Sequence, residues 1–312
     1  MKIRPYLLHA LSPLHAGTGQ SNDVIDLPIA RMRATGIPIA PGSSVKGVLR
    51  EARKPPTLTD EEWTAIFGPR DNPSVHAGAL IVSDARLLAL PVRSFRGTFA
   101  WVSSPLLLEL AWRDCQGCGL RDLPAPLPAF SKRHAVVSAV AGENGSLNVH
   151  ADGKGHDKVY LEDLDLPVAP MSDRNEEGQA LAAAAGAWAS FLAPRVAPAG
   201  SALLFARRFV AVDDEVMSFL CETATQVDAR VRLREDTRTV ARGALWSEES
   251  LPPESVLIGL LLADPSRKPK FNLDPGQVIL KALPEEAVLQ FGGKASVGRG
   301  RCRMVPVTSE AK

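Results

Sequence analysis

Eleven residues near the C-terminal end, FGGKASVGRGR at positions 291–301, most constrain what this chain can fold into. Four of them are glycine, three (Lys294, Arg299 and Arg301) are basic, and none is acidic. A backbone without Cβ atoms can pass close to another backbone. Its peptide N–H groups and flanking guanidiniums can then meet phosphate oxygens. Such a run holds a ribose-phosphate strand without reading its bases, through Gly292, Gly293, Lys294, Gly298, Arg299, Gly300 and Arg301. A plain glycine-rich hairpin loop is the competing interpretation.

Net charge is only +1, so any nucleic-acid surface has to arise from local clustering. One cluster is visible: Arg31, Arg33, Lys46, Arg50 and Arg53 stand against a single acid, Glu51. Lys46 follows Ser43 and Ser44 in GSSVKG, at the start of a helix carried by Val45, Val48, Leu49 and Ala52. There the helix dipole and free N–H groups favour phosphate, with Ser43 or Ser44 as the cap and Arg50 one turn on. A solvated helix face is the ordinary alternative.

Along the chain, residues 3–10 read as an opening strand and Thr59 with Glu62 as a capping box before Trp63, Ile66 and Phe67. The apolar segment 78–90 predicts a buried strand in its first half, and 99–102 another. Ser103 or Ser104 caps the next helix. Residues 176–192 predict an alanine-rich helix ending before Pro194. Residues 201–212, 256–263, 278–280 and 302–307 read as strands, with a helix through Val216, Phe219, Leu220 and Thr223. Residues 229–233 are extended, and 238–246 form the return arm of a protruding hairpin. The alternation fits an α+β, ferredoxin-like core. The segment 115–170, rich in proline, glycine and polar residues, reads as an irregular insertion carrying some strands.

No signal peptide is legible, because His9, Pro13 and His15 interrupt the short apolar stretch after Lys2 and Arg4. The uncharged stretch 179–194 is too short and alanine-rich to span a bilayer. The expected setting is therefore cytoplasmic, with Cys115, Cys118, Cys221 and Cys302 as reduced thiols. Cys115 and Cys118 form a CxxC, half of a zinc site, with His134 as a third ligand. A zinc-stabilised module is accordingly an alternative.

Three strings in fixed order carry a resemblance: IDLPIARMRATGIPIAPGSSVKGVLR at 25–50, IFGP with GALIVSDARLLALPVRSFRGTFAWVSSP at 66–105, and TRTVARGALWSEESLP at 237–252 ahead of the glycine run. The chain resembles the RAMP superfamily of CRISPR proteins, and within it the repeated backbone subunit of the type III-B (Cmr) effector complex. The resemblance implies an RRM-like hand in one domain over 1–312, with 115–170 inserted and a thumb hairpin at about 228–252. It implies as partners a guide RNA, a complementary target RNA, other Cmr subunits and further copies of the chain, with no membrane. It also implies endonucleolytic cleavage of target RNA, using an acidic loop residue and a divalent metal ion, Mg or Mn. Asp26 matches that acid. A carboxylate there can act as general base or hold the metal. On position alone Asp26 is a turn residue, as is Asp23. His15, ahead of Gly17-Thr18-Gly19, is a second catalytic candidate, as a proton donor or phosphate contact. Arg232, Arg234, Arg238 and Arg242 belong to the thumb, where Trp246 anchors the hairpin. Glu248 and Glu249 are metal-ligand types without a supporting spacing. A backbone subunit that binds RNA without cutting it shares all these features.

Overall fold

The computed structural model describes residues 1–17, 25–70, 75–120, 123–130, 134–138, 145–151, 153, 157–169, 176–198 and 200–308. Strand β1 (Lys2–Ala10) lies at the heart of a large sheet. It pairs antiparallel with β13 (Val256–Ala263) on one side and β15 (Arg301–Pro306) on the other. The path continues outward from β15 to β14 (Ala287–Gln290), and from β13 to β4 (Ala85–Ser94), β5 (Thr98–Ser103) and β10 (Phe209–Ala211).

Alternation along β1 builds two cores, as the period of two dictates. Tyr6, Leu8 and Ala10 join one apolar cluster, which covers α1 (Gly42–Ala52), α2 (Asp60–Phe67), α6 (Asp214–Thr223) and α7 (Pro275–Ala282). Leu7 joins the other, under α4 (Glu176–Val196) and α5 (Ala202–Ala206). Helix α3 (Pro105–Gln116) divides itself, Leu107 going to the first and Leu108 to the second. Opposite Tyr6 stands Gly259, where a Cβ would lie 2.6 Å from the phenol ring. That glycine makes room for a fully buried tyrosine, whose hydroxyl donates to the Ser83 carbonyl at 3.3 Å and whose pKa burial raises.

Several local expectations are corrected. Neither Ser43 nor Ser44 caps α1: the helix begins at Gly42 behind Pro41, and the Gly42 N–H donates to Asp84 Oδ1 at 2.8 Å. The apolar run 78–90 is split into a short β3 (Leu80–Val82) and the long β4, so strand character lies mainly in its second half. The break falls where α1 docks, since a Cβ on Gly42 would sit 2.3 Å from the Val82 carbonyl oxygen. Helix α4 runs through Pro194 to Val196. Buried Trp188, Phe191, Leu192, Ala193 and Val196 outweigh the lost bond, which costs about 3 kcal/mol in a helix interior. Residues 202–206 are helical, with Phe205 packed on Trp101 at 4.5 Å, and only 209–211 form strand. Residues 278–280 lie in α7, because Asp274 and Gln277 make a capping box with Pro275 in the first turn.

In the middle of the chain, β6 (Val136–Val137), β7 (Val149–His150), β8 (Lys158–Leu161) and β9 (Leu164–Pro167) are joined to the main sheet. β6 pairs with β10, and Leu161 of β8 pairs with Ser94 of β4. A separate two-stranded sheet, β11 (Gln226–Leu233) with β12 (Val240–Ser250), forms the hairpin. No helix among the described residues is long and apolar enough to cross a membrane.

Candidate nucleic-acid interface

Strand β12 is a wall shared by two loops. Ser247 and Glu249 lie on one face of it, Glu248 and Ser250 on the other. On the first face the segment 25–29 runs beside the hairpin. The Leu27 N–H donates to the Ser247 carbonyl at 3.1 Å, and the Glu249 N–H donates to the Leu27 carbonyl at 3.0 Å. That register sets Asp26 against Ser247. The Ser247 N–H and hydroxyl both donate to Asp26 Oδ2, at 2.7 and 2.9 Å, and the Asp26 N–H donates back to the hydroxyl oxygen at 3.0 Å. The side chain is exposed, and these bonds hold its carboxyl below the usual aspartate range. Residues 18–24, Asp23 among them, lie outside the described residues.

The segment carrying His15 lies on the same wall. Leu14 and Leu251 exchange backbone bonds, and His15 Nδ1 is 2.7 Å from the Glu249 carbonyl oxygen. A carbonyl only accepts, so Nδ1 carries the proton and a neutral ring presents Nε2 as an acceptor. The ring packs over Gly17, where a Cβ would come within 2.6 Å of Nε2. Glu249, 2% exposed, closes this face: its carboxylate accepts from the Ile29 N–H at 3.0 Å, from Thr225 at 2.9 Å and from Arg31.

On the opposite face the glycine run meets the hairpin through charges. Glu248 is fully buried, paired to Lys294, with Arg230 at 3.6 Å and Arg299 at 3.8 Å. Arg299, 8% exposed, also donates to Ser250 at 2.8 Å and to Asp228, whose pKa it lowers. Glu248 and Glu249 therefore point apart and are matched with cations, which corrects any reading of them as joint metal ligands. Arg299 and Lys294 brace the hairpin within this chain, whereas Arg301 is exposed.

The glycines divide by task. A Cβ on Gly300 would lie 1.9 Å from the Phe291 carbonyl oxygen, and one on Gly292 2.2 Å from that of His15. Both have positive φ, and the Gly300 N–H donates to the Pro13 carbonyl at 2.9 Å. These two dock the run against the His15 segment. Around Gly293 and Gly298 a Cβ would meet nothing within 4 Å, so this part stays open to a ligand. Gly300→Ala is expected to destabilise the fold by about 3 kcal/mol. Gly293→Ala is expected to leave the midpoint of thermal unfolding unchanged, and calorimetry of the two variants checks the pair.

At the start of α1, Ser43 and Ser44 are exposed. Lys46 Nζ donates to the Leu80 carbonyl at 2.7 Å, and desolvation lowers its pKa. Arg50 donates to the Pro69 carbonyl at 3.3 Å and lies 4.5 Å over the Trp63 ring. On the hairpin, Arg232 and Arg238 are exposed and Arg234 pairs with Asp236 at 3.0 Å. The Trp246 side chain is half-buried, opposite Arg230.

Among the described residues no group of three His, Cys, Asp or Glu side chains is placed to hold a metal ion. This removes the basis for a Cys115–Cys118–His134 zinc site. Burial pushes the two thiols up to about 12 and about 11. At Asp26 a divalent ion has one carboxylate and would complete its shell from phosphate oxygens and water, as Mg²⁺ usually does.

A mixed α+β core with a separate two-stranded hairpin, to whose base the Asp26 carboxylate is tied, is the architecture for which relatives are to be sought. The RAMP superfamily model matches residues 7–303. A curated relative, the CRISPR system Cmr endoribonuclease Cmr4 of Pyrococcus furiosus, is 31% identical over 305 residues, covering 96% of this chain and 94% of that protein. The CMR subunit Cmr4 of Saccharolobus solfataricus is 22% identical, over 96% and 94%. Among solved structures, oligomeric Cmr4 from Pyrococcus furiosus superposes with a TM-score of 0.72 at 26% identity, covering 99% of this chain and 100% of that one. A chain of the type III-B Cmr-beta complex bound to cognate target RNA gives 0.70 at 18% identity, over 98% and 97%, and shares the fold. This chain belongs to the RAMP superfamily, on its Cmr4 branch.

Ser247 escapes sequence reasoning, and so does the part Glu249 plays in securing Ile29, Thr225 and Arg31. Nothing in SEES at 247–250 says which loop each residue will receive, because that depends on pairing across more than two hundred positions. Only the alternation of faces along a strand was available as a signal.

Proposed function

We propose that this chain is the repeated backbone subunit of a type III-B CRISPR effector and cleaves complementary target RNA at regular intervals. The observation that carries this reading is the Asp26 carboxylate, exposed yet fixed on Ser247 at the base of the hairpin. The identity to the Cmr endoribonuclease of Pyrococcus furiosus supports the activity. The oligomer formed by that protein, and the target RNA bound in the Cmr-beta complex, support the choice of partners. Those partners are a guide RNA, its target, other Cmr subunits and further copies of the chain, all in the cytoplasm. Residues 1–312 then act as one hand, with 115–170 as its insertion and about 228–252 as its thumb.

In this reading the guide backbone lies along the exposed Ser43 and Ser44 of α1 and along Gly293, Gly298 and Arg301 of the glycine run, while Lys46, Arg50, Gly292, Lys294, Arg299 and Gly300 hold those two surfaces in shape through bonds within the chain. Cleavage is an internal transesterification. The target's 2′-hydroxyl oxygen bonds to the adjacent phosphorus, the bond from phosphorus to the 5′-oxygen breaks, and a 2′,3′-cyclic phosphate and a 5′-hydroxyl result. Asp26 holds or receives the 2′-hydroxyl proton, and water supplies the proton to the leaving oxygen. Mg or Mn, held by Asp26 and phosphate oxygens, would offset charge on the phosphoryl group. His15, tied at Nδ1 to the Glu249 carbonyl, is the second catalytic candidate in this reading.

The test is a cleavage assay of the assembled complex with labelled complementary RNA. Regularly spaced cuts are expected in Mg²⁺ or Mn²⁺, abolished by EDTA. Target bound but uncut in either metal would make this a non-catalytic backbone subunit.

A further inference from the structure

We propose that Ser247 is a positioning residue for target cleavage: its hydroxyl and its backbone N–H together fix the Asp26 carboxylate in the orientation that the reaction uses. This inference rests on the assignment of Asp26 as the cleaving acid. An exposed aspartate on a loop is free to rotate about χ1 and χ2, so only a fraction of its orientations would suit a reacting 2′-hydroxyl. Here that freedom is removed twice over. Both Ser247 donors converge on one oxygen, Oδ2, at 2.7 and 2.9 Å, which fixes the rotation of the carboxylate and leaves Oδ1 outside these two bonds. The same hydroxyl accepts the Asp26 N–H at 3.0 Å, so backbone and side chain of Asp26 are referred to one atom.

The serine is itself held by its surroundings. The Leu27 N–H donates to its carbonyl, and the next residue but one, Glu249, donates to the Leu27 carbonyl. Ser247 stands in β12 opposite Ala229 of β11, whose small side chain leaves this face uncrowded. The remaining polar groups near the hairpin base have other tasks: Glu248, Asp228, Arg230, Lys294 and Arg299 neutralise one another on the far face, and Glu249 secures Ile29 and Arg31. Ser247 alone connects the hairpin to the Asp26 carboxylate among the described residues. The movement of the hairpin on a duplex would thus carry the acid with it.

The experiment uses the complex reconstituted with guide RNA, and measures cleavage over a range of target concentrations for Ser247→Ala, Ser247→Thr, Ser247→Val and Asp26→Asn. For Ser247→Ala the rate at saturating target is expected to fall about 10-fold, with the half-saturating concentration unchanged, because the backbone donor survives and only the hydroxyl is lost. Ser247→Thr keeps the hydroxyl and is expected to stay within about 3-fold of the parent, whereas Ser247→Val, of the same shape as Thr, should match the alanine variant. A valine variant as fast as threonine, or an alanine variant at the parental rate, overturns the positioning role. Equal losses in all three variants overturn it too, as the hydroxyl would then not be the group that matters. Cleavage retained by Asp26→Asn overturns the underlying assignment instead. Inactive Asp26→Asn beside fully active Ser247→Ala sinks the positioning role alone.

Discussion

Asp26→Asn abolishes target cleavage while guide binding, assembly and target affinity stay at their parental values. The expected loss is about 10²- to 10⁴-fold, the usual contribution of a positioned general base, and larger where the carboxylate also holds the metal. Asparagine suits the test because its amide carbonyl can still accept the two Ser247 donors that now meet Oδ2. The segment 25–29 therefore keeps its place on β12 through the unchanged Leu27 backbone bonds. The measurement is the single-turnover rate in Mg²⁺, set beside the mobility of the assembled complex on a native gel. A parental rate would remove Asp26 from the chemistry. Loss of assembly would show that the carboxylate, not merely its shape, is needed to seat the loop.

How much of this was legible in the residues depends on the range of the interaction. Local signals read true where they were short. Thr59 and Glu62 form their capping box, and Ser104 caps α3 by accepting from the Leu107 N–H. Signals of the same kind failed where a neighbour in space intervened. Asp84, forty-two positions from Gly42, does the work expected of Ser43 or Ser44, and packing under Trp188 carries α4 past its proline. Asp274 and Gln277 have the capping-box spacing, and it prevails over the strand preference of the β-branched pair Val278 and Ile279. In the glycine run, composition correctly marked a close approach of backbones, but one of the partners is this chain's own Phe291 carbonyl. Its basic residues show the same limit. Lys294 and Arg299 look like free cations in the sequence because Glu248 and Asp228 lie forty-six and seventy-one positions away. Only the exposed Arg301 matches that reading without qualification.

The second large effect is expected at Glu249. Truncation to alanine strips an acceptor from the buried Ile29 N–H, from Thr225 and from the Arg31 guanidinium at once. An isolated partner left behind in a buried pair costs about 3–5 kcal/mol, and Arg31, partly reached by water and still bonded to the Gly36 carbonyl, argues for the lower end. Glu249→Ala should therefore lower stability by about 3 kcal/mol in urea unfolding. Glu249→Gln, which keeps an acceptor and loses the charge, should cost about 1–2 kcal/mol. The backbone bonds from Glu249 to Leu27 and His15 remain in both variants, so the hairpin itself should persist and the damage concentrate in residues 25–31. Hydrogen exchange in that segment should rise ahead of exchange in β11. Pairing Glu249→Ala with Arg31→Met separates the two contributions: the double variant should be less destabilised than the sum of the singles, since the orphaned guanidinium is gone. Additive losses would mean that the Ile29 N–H, rather than the ion pair, is what Glu249 secures.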